Sequence, residues 1–250
     1  MPPPRPDALV IIPTYNERQN LALIAPRVLA TGVDILVVDD NSPDGTGEVA
    51  DRLAEREPRV HVLHRAAKQG LGPAYLAGFE WALAAEYDVI IELDADGSHP
   101  PERIPDLLAA LADDPHGAVG GVIGSRWVEG GAIVGWPKSR EWVSRAGSWY
   151  ARTVLGLPVR DVTAGFRAYR AVALRDIHLE DVESQGYCFQ IDLTRRMVAA
   201  GFRLVEVPIE FRDRQIGASK MNATIIAEAM LKVTGWGLAR LGRRRRVERS

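Results

Sequence analysis

The sequence has a single cysteine, Cys188, in 250 residues. An internal disulfide framework is therefore excluded, and a reducing compartment is expected, with Cys188 read as a packing residue. No run of about 18 apolar residues occurs, so no segment reads as a membrane-spanning helix. The opening Met1-Pro2-Pro3-Pro4-Arg5-Pro6 lacks the apolar core of a signal peptide. There is no internal repeat and no low-complexity linker in the body. Two phosphate-binding loops are also missing. No G-x-x-x-x-G-K-[ST] occurs, and Gly70-Leu71-Gly72-Pro73-Ala74-Tyr75 places a tyrosine where a dinucleotide fingerprint needs its third glycine. His61 and His64 have no neighbouring cysteines or histidines that would complete a metal site, so they read as strand residues.

What is present is an acidic body with a basic end. The overall charge is −2, but the segment from Arg240 holds six arginines and one glutamate, a charge of +5, which leaves −7 for the rest. With 46% hydrophobic and 26% charged residues the chain has the composition of a soluble globular protein. An acidic body with so short a basic run speaks against nucleic acid as a partner.

Short, continuous apolar runs recur at Ala8 to Ile12, Asp34 to Val38, Val60 to Leu63, Tyr87 to Leu93 and Ala118 to Ile123. Each reads as a strand buried on both faces. Helical patterns lie between them. One starts at Asn16 as N-cap, with Leu21, Ile24 and Val28 inward and Pro26 weakening its later part. Another carries Val49 and Leu53, a third Leu76, Phe79 and Leu83, and a fourth opens at Pro100-Pro101-Glu102. The alternation predicts an α/β fold, a mostly parallel sheet flanked by helices. Further on, the pattern predicts a helix over Arg140 to Leu155, a turn-rich Asp161 to Arg167, a helix over Tyr187 to Ala199 and one strand over Arg203 to Phe211. A basic loop over Arg212 to Lys220, with Gly217, would follow, suited to be a lid.

In such a sheet, ligands bind beyond the carboxyl ends of the strands. Tyr15 and Glu17, Asp39 and Asp40, Asp94 and Asp96, and Arg126 all fall at those ends. Asp94 and Asp96 are spaced i and i+2, which points both carboxylates the same way on an extended segment. Two hard oxygen ligands suit a divalent cation on a phosphate. The same residues also suit a plain strand end followed by an acidic, proline-terminated turn. Without a glycine cradle, a pyrophosphate would need such a metal plus cations, which Arg126, Arg140, Arg212, Arg214 and Lys220 offer. Asp39 is expected to cap its turn. Ser98 and His99 also fit helix capping, Arg140 also fits a solvated helix position, and Arg167 also fits a structural pairing with the acidic turn.

Several motifs carry a family resemblance. They are Pro13-Thr14-Tyr15-Asn16-Glu17, Val38-Asp39-Asp40-Asn41-Ser42-Pro43-Asp44-Gly45-Thr46, Asp94-Ala95-Asp96-Gly97-Ser98-His99, Gly124-Ser125-Arg126, and Trp136-Pro137 with Arg140 and Ser144. Asp161 to Tyr169, Gly186 to Ile191, and Phe211-Arg212-Asp213-Arg214 leading to Gly217-Ala218-Ser219-Lys220 complete the set. From about Ala8 to Lys220 the chain resembles the family-2 glycosyltransferases of GT-A fold, and among them the dolichol- or polyprenol-phosphate mannosyltransferases.

That resemblance implies GDP-mannose as donor and a polyprenyl monophosphate as acceptor, with inversion at the anomeric carbon. It implies that Pro13, Tyr15, Glu17, Val38 and Asp40 hold the guanosine. Asp94, Ala95, Asp96 and Ser98 would surround the diphosphate and Mg²⁺ or Mn²⁺, with Asp94, Asp96 and Ser98 as metal ligands. The commonest family pattern has glutamine at Ser98, and the shorter serine leaves room for a water. Arg126, Arg214 and Lys220 would face donor phosphate or sugar, and Arg140 and Ser144 the acceptor phosphate. Asp96, Arg126, Arg140 and Arg214 are the implied catalytic set.

A phosphate monoester has a second pKa of about 6 and is largely dianionic at neutral pH, so no general base is expected. Asp192 stands where other family-2 enzymes place one, and orienting arginines is its expected role here. Transfer of glucose or another sugar from a UDP donor is a second reading. A non-catalytic nucleotide-sugar-binding or scaffold domain is a third, although it would predict decay of these motifs.

The expected division is a catalytic domain over 1–220 and a C-terminal extension over 221–250. That extension reads as an amphipathic helix from Met221 to Leu241 carrying Trp236, then a tail with four consecutive arginines. Such a helix suits a membrane interface, where each arginine near anionic lipid is worth roughly 1 kcal/mol. It equally suits packing on the body. The localisation expected is cytoplasmic, peripheral at the cytoplasmic face of the membrane, reached through the tail or an integral membrane partner.

Overall fold

The protein is described by a computed structural model covering residues 7–114, 116–182, 186–214 and 229–240. Five strands follow the expected runs: β1 Ala8–Thr14, β2 Asp34–Asp39, β3 Val60–His64, β4 Val89–Glu92 and β5 Val119–Ser125. Between them lie α1 Arg18–Leu29, α2 Thr46–Arg56, α3 Leu71–Ala84 and, after a 3₁₀ turn at Pro101–Arg103, α4 Ile104–Ala112. The second half supplies β6 Ala132–Val134, α5 Lys138–Leu155, β7 Arg167–Arg170, α6 Ala171–Asp176, α7 Tyr187–Ala199, β8 Arg203–Pro208 and β9 Glu210–Arg212. A last helix, α8, covers residues 229–240.

The main sheet has seven strands in the order β3-β2-β1-β4-β7-β5-β8, and β6 pairs with β9 in a separate two-stranded ribbon. Alternate residues of β1 serve two cores, as a two-fold side-chain period requires. Val10 and Ile12 pack with Leu21 and Ile24 of α1 and Leu107 of α4, whereas Leu9 and Ile11 pack with Phe79 of α3 and Phe189 of α7. Helix α3 lies very close to β1: a Cβ on Gly78 would meet Ile11 Cγ2 at 2.7 Å. Only glycine fits there.

Four expectations need correction. Asn16 does not cap α1. It holds a left-handed backbone (φ 60°) and donates its N–H to Ser42 Oγ at 3.0 Å, so the helix starts one residue later, after Glu17. Pro26 does not break α1, which runs on to Leu29. The turn-rich Asp161 to Arg167 gives way at Arg167 to a strand, β7, which inserts between β4 and β5 and is antiparallel to both. That strand falls partly in the segment read as a turn. Finally, Arg203 to Phe211 is two strands. Pro208 has no N–H to continue a ladder, and beyond it the chain leaves β5, with Ile209 donating to Ser125 O at 3.0 Å before β9 joins β6.

The last helix packs on the body. Val233 is buried in a third core with Ala151 and Leu155 of α5, and Tyr150 Oη meets Thr234 Oγ1 at 2.6 Å. The first part of the expected helix, the basic loop with Lys220, and the arginine tail lie outside the described residues.

Candidate active site

Strands β1, β2 and β4 run parallel and finish at one edge, and β5 runs the same way two strands further along. Their ends bring together three acidic turns. In the β2 turn, Asp39 is buried and accepts from Thr14 Oγ1 (2.9 Å), Ser42 N (3.0 Å) and Ser42 Oγ (2.6 Å). It caps the turn, as expected. Asp40 is also buried. One oxygen pairs with Arg65, and the other accepts Gln69 N at 3.1 Å and Gly70 N at 3.3 Å. Arg65 in turn binds Gln69 Oε1 at 2.6 Å. Asp40 thus anchors the 65–70 loop, whose Lys68 ammonium stands 3.9 Å over the Tyr15 ring. Pro13, Tyr15 and Glu17 are half-buried in the β1 exit, with Glu17 Oε2 accepting from Asn20 at 2.7 Å. Val38 is wholly buried in the α3-side core, so only its backbone remains at the edge.

The β4 exit carries the aspartate pair. Tyr75 of α3 donates its hydroxyl to Asp94 Oδ1 at 3.2 Å. Removal from water, together with the charge of Asp96, pushes the Asp94 carboxyl up to about 7, against the pull of Tyr75 and Arg214. Asp96 is held from two sides: Ser98 N donates to Oδ1 at 3.0 Å, and Arg214 Nη2 stands 3.2 Å from Oδ2. Ala95 between them is buried. The Ser98 hydroxyl faces His99 Nδ1 at 3.4 Å, and burial lowers the His99 imidazole to about 4, so it is neutral at ordinary pH. Beneath the pair, Glu92 is fully buried and raised by that burial to about 8, with Tyr169 Oη at 3.4 Å.

Arg126, at the β5 exit, is buried and bidentate on Asp161, both contacts being 2.7 Å, with Thr163 Oγ1 at 3.0 Å. Burial works to raise the Asp161 carboxyl, but the charge and hydrogen bonds of Arg126 overcome it and hold the group below its ordinary value. Arg140 lies in the first turn of α5, stacked 4.0 Å over Trp136, and donates to Asp213 Oδ1 at 3.1 Å. Asp213 Oδ1 also accepts Arg214 N at 3.1 Å. A continuous line of alternating charge therefore runs Arg140, Asp213, Arg214, Asp96. Ser144 lies one turn beyond Arg140, half-buried. Arg167 is structural: fully buried, it donates to Ala164 O (2.6 Å), Val162 O (2.8 Å) and Thr194 Oγ1 (2.8 Å).

Asp94 and Asp96 fit a divalent cation. One is held partly protonated by desolvation and a like charge, and the other already draws a cationic group, so both gain from positive charge between them. Among the described residues no third acidic, histidine or cysteine side chain joins them in a metal-holding group. A cation there would take its remaining oxygens from substrate phosphate and water, as Mg²⁺ commonly does.

A family model described as glycosyl transferase family 2 matches residues 9–178. The chain belongs to that family. Its curated relatives include an undecaprenyl-phosphate mannosyltransferase of Micrococcus luteus, 54% identical over 92% of this chain and 94% of the relative. Another is a polyprenol monophosphomannose synthase of Mycolicibacterium smegmatis, 53% identical over 98% of this chain and 93% of the relative. Among solved structures, a Mycobacterium tuberculosis glucosyl-3-phosphoglycerate synthase with Mn²⁺, UDP-glucose and phosphoglyceric acid has a TM-score of 0.67 at 19% identity, over 92% of this chain and 80% of that one. A Pyrobaculum calidifontis mannosyltransferase with GDP-mannose and Mn²⁺ has a TM-score of 0.61 at 20% identity, over 96% and 65%. These last two share the fold, and the family is one of catalysts: the chain is a glycosyltransferase.

The structure gathers Asp40, Asp94, Asp96 and Arg126 at the ends of the strands, with supports that the local sequence does not signal. Those supports include Asp161, Asp213, Arg65 and Tyr75. Asp161 and Arg126 are 35 positions apart, and nothing local signals that pairing. In the sequence Tyr75 stands out only as the residue that spoils a glycine fingerprint. Asp192 is buried and pairs with Arg195 and, at 3.1 Å, with Arg196 of its own helix.

Proposed function

We propose that this glycosyltransferase moves mannose from GDP-mannose to a polyprenyl monophosphate, releasing GDP and inverting the anomeric carbon. The observation that carries the reading is the line from Arg140 through Asp213 and Arg214 to Asp96. It sets a cationic site for one phosphate beside a carboxylate pair suited to another. The relatives' names supply the sugar and the lipid.

In this reading Asp94 and Asp96 hold Mg²⁺ or Mn²⁺, with Ser98 fixing Asp96 through its N–H. The metal's chemistry would be to offset the charge that develops on the diphosphate as the sugar–phosphate bond breaks. Tyr15 and the 65–70 loop anchored by Asp40 shape the nucleoside end, with Pro13, Glu17 and Val38 lining it. Arg214 exchanges Asp96 for the donor diphosphate, and Arg126, its plane fixed by Asp161, adds positive charge to the cleft wall. Lys220, outside the described residues, is assigned the same role.

Arg140 and Ser144 hold the acceptor phosphate. Its oxygen attacks the anomeric carbon from the face opposite the leaving GDP, a new C–O bond forms, and the sugar–phosphate bond breaks. No proton must leave the dianionic nucleophile, so no base is assigned. The acceptor is a lipid, and we place the enzyme peripherally at the cytoplasmic face of the membrane.

The test is transfer of label from GDP-mannose or UDP-glucose to a polyprenyl phosphate, with and without EDTA. Chelator-sensitive label in the lipid fraction from GDP-mannose alone is expected. Label from UDP-glucose instead would move the donor assignment, and no label from either would overturn the reading.

A further inference from the structure

Tyr75 brings a polar end into an apolar place. It is 0% exposed in the second turn of α3. Its ring stacks on Phe189 of α7 (centroids 6.0 Å, planes 7° apart) and on Phe79 of its own helix (6.2 Å, 24°). Phe79 and Phe189 stack on each other as well, at 6.4 Å. For packing alone a third phenylalanine would serve, and it would spare the cost of taking a hydroxyl out of water. The buried hydroxyl needs a partner, and it has Asp94 Oδ1 at 3.2 Å. That oxygen belongs to one of the two carboxylates suited to a cation.

The bond decides how Asp94 can be used. The last torsion of an aspartate is broad and two-fold, so an unheld carboxylate turns easily. An ionised carboxylate only accepts, so the phenol has to be the donor. With the ring clamped between α3 and α7, the O–H holds Oδ1 and sets the plane of the group. Asp96 is tied in the same way. Ser98 N takes its Oδ1 at 3.0 Å and leaves Oδ2 to positive charge, here Arg214 at 3.2 Å. On Asp94 the corresponding oxygen is Oδ2. A Cβ on Gly165 would stand 3.5 Å from it, so the glycine keeps that side clear of a side chain.

The helix that carries the phenol is itself seated on the nucleoside end of the cleft. Gly70, just before α3, donates its N–H to Asp40 Oδ2 at 3.3 Å, and its carbonyl accepts Ala74 N at 3.2 Å. The carboxylate that anchors the 65–70 loop therefore also fixes the start of α3, one turn from Tyr75.

We infer that Tyr75 is a positioning residue for the cation: its hydroxyl holds Asp94 by Oδ1 so that Oδ2 is presented, together with Oδ2 of Asp96, to a divalent ion on the donor diphosphate. This rests on the proposed metal role of the two aspartates and assigns the group that sets their geometry. Hydrogen-bond partners of metal-ligating groups are worth about 10–100-fold in metal affinity.

The test measures GDP binding to the full chain by calorimetry, in EDTA and again in excess Mn²⁺. The wild type is expected to bind GDP more tightly with Mn²⁺. Tyr75→Phe removes only the oxygen. It should match the wild type in EDTA and bind about tenfold or more weakly than the wild type in Mn²⁺. In turnover, the Mn²⁺ needed for half-maximal rate should rise by a similar factor, with kcat recovering as Mn²⁺ is raised. Phe79→Leu disturbs the same stack without touching the hydroxyl, so it should lower the melting temperature and keep the wild-type gain from Mn²⁺.

Equal gains from Mn²⁺ in the wild type and Tyr75→Phe would overturn the inference. An equal loss in Phe79→Leu would do the same, because the packing of α3 would then be the cause. GDP binding weakened alike in EDTA and in Mn²⁺ would place Tyr75 with the nucleoside and also overturn it. If Mn²⁺ adds nothing to the wild type, with GDP or with UDP, the metal assignment itself falls and the inference with it.

Discussion

Glu92 and Asp94 stand two residues apart at the β4 exit, and burial acts on both in the same direction. Their carboxyls are raised to about 8 and about 7, against about 4 in an unfolded chain. The folded protein therefore binds the extra protons. Their contribution to stability is fully present below the unfolded value and is lost as pH rises through the folded ones. In EDTA the melting temperature should fall between about pH 5 and about pH 9, and Mn²⁺ should recover more of it at the alkaline end, where Asp94 is ionised and open to a cation. Differential scanning fluorimetry across that range checks both statements, and a flat profile that ignores Mn²⁺ would contradict them.

Asp192 is the other buried carboxylate that bears on mechanism. Among its partners are Arg195 and Arg196 of its own helix, which are not the phosphate-guiding arginines it is expected to orient. Asp192→Asn should destabilise the fold by about 1–3 kcal/mol, the range for a disturbed buried polar contact. Its kcat should fall far less than the roughly hundredfold or more that follows loss of a general base. Turnover abolished with donor affinity intact would reinstate the base.

At the scale of elements, the short segment after β9 does the joining. Asp213 reaches Arg140 of α5 with its side chain, takes the backbone N–H of Arg214, and donates its own N–H to Val134 O of β6 at 2.9 Å. Asp213→Asn weakens the hold on Arg140 while leaving the Arg214 pair with Asp96 in place. The expected result is a KM for the acceptor raised about tenfold with the donor KM changed little, read from initial rates with each substrate varied. Equal effects on both would mean that the residue only shapes the loop.

This segment also marks where the sequence stopped being legible. Strands β1 to β5 announce themselves because each is a buried apolar run bounded by turns, and the aspartate pair sits where one such run ends. Strand β7 does not. It is four residues long with arginine at both ends, and its antiparallel place between β4 and β5 is set by pairings 75 or more positions back along the chain for β4, such as Glu92 with Arg167. The same limit hid Asp161, whose partner Arg126 belongs to a different motif. Residue identity pointed to the polar groups at the strand ends, whereas the groups that hold them in place depend on which strands become neighbours.

For the molecule as a whole, the open question is whether the C-terminal segment belongs to the body or only to the membrane. The reading of 221–250 as a separate extension left both possibilities standing. Val233 lies in the core that Ala151, Leu155 and Ile191 share, and Gly237 is pressed against Val154, so α8 packs along one flank of α5. A chain ending after residue 228 would open that core. Burial of one such aliphatic side chain is worth about 1.5–3 kcal/mol, and a domain of this size shifts by about 2–4 °C per kcal/mol. Removing α8 should therefore lower the melting temperature by roughly 5 °C or more. A chain ending after residue 240 loses the arginine run but keeps α8, and it should melt with the full protein. Calorimetry of the two truncations settles the matter. If the shorter chain melts unchanged, 220 is a true domain boundary. If it melts early, the helix that supports α5 belongs to the catalytic body, which then runs past residue 220.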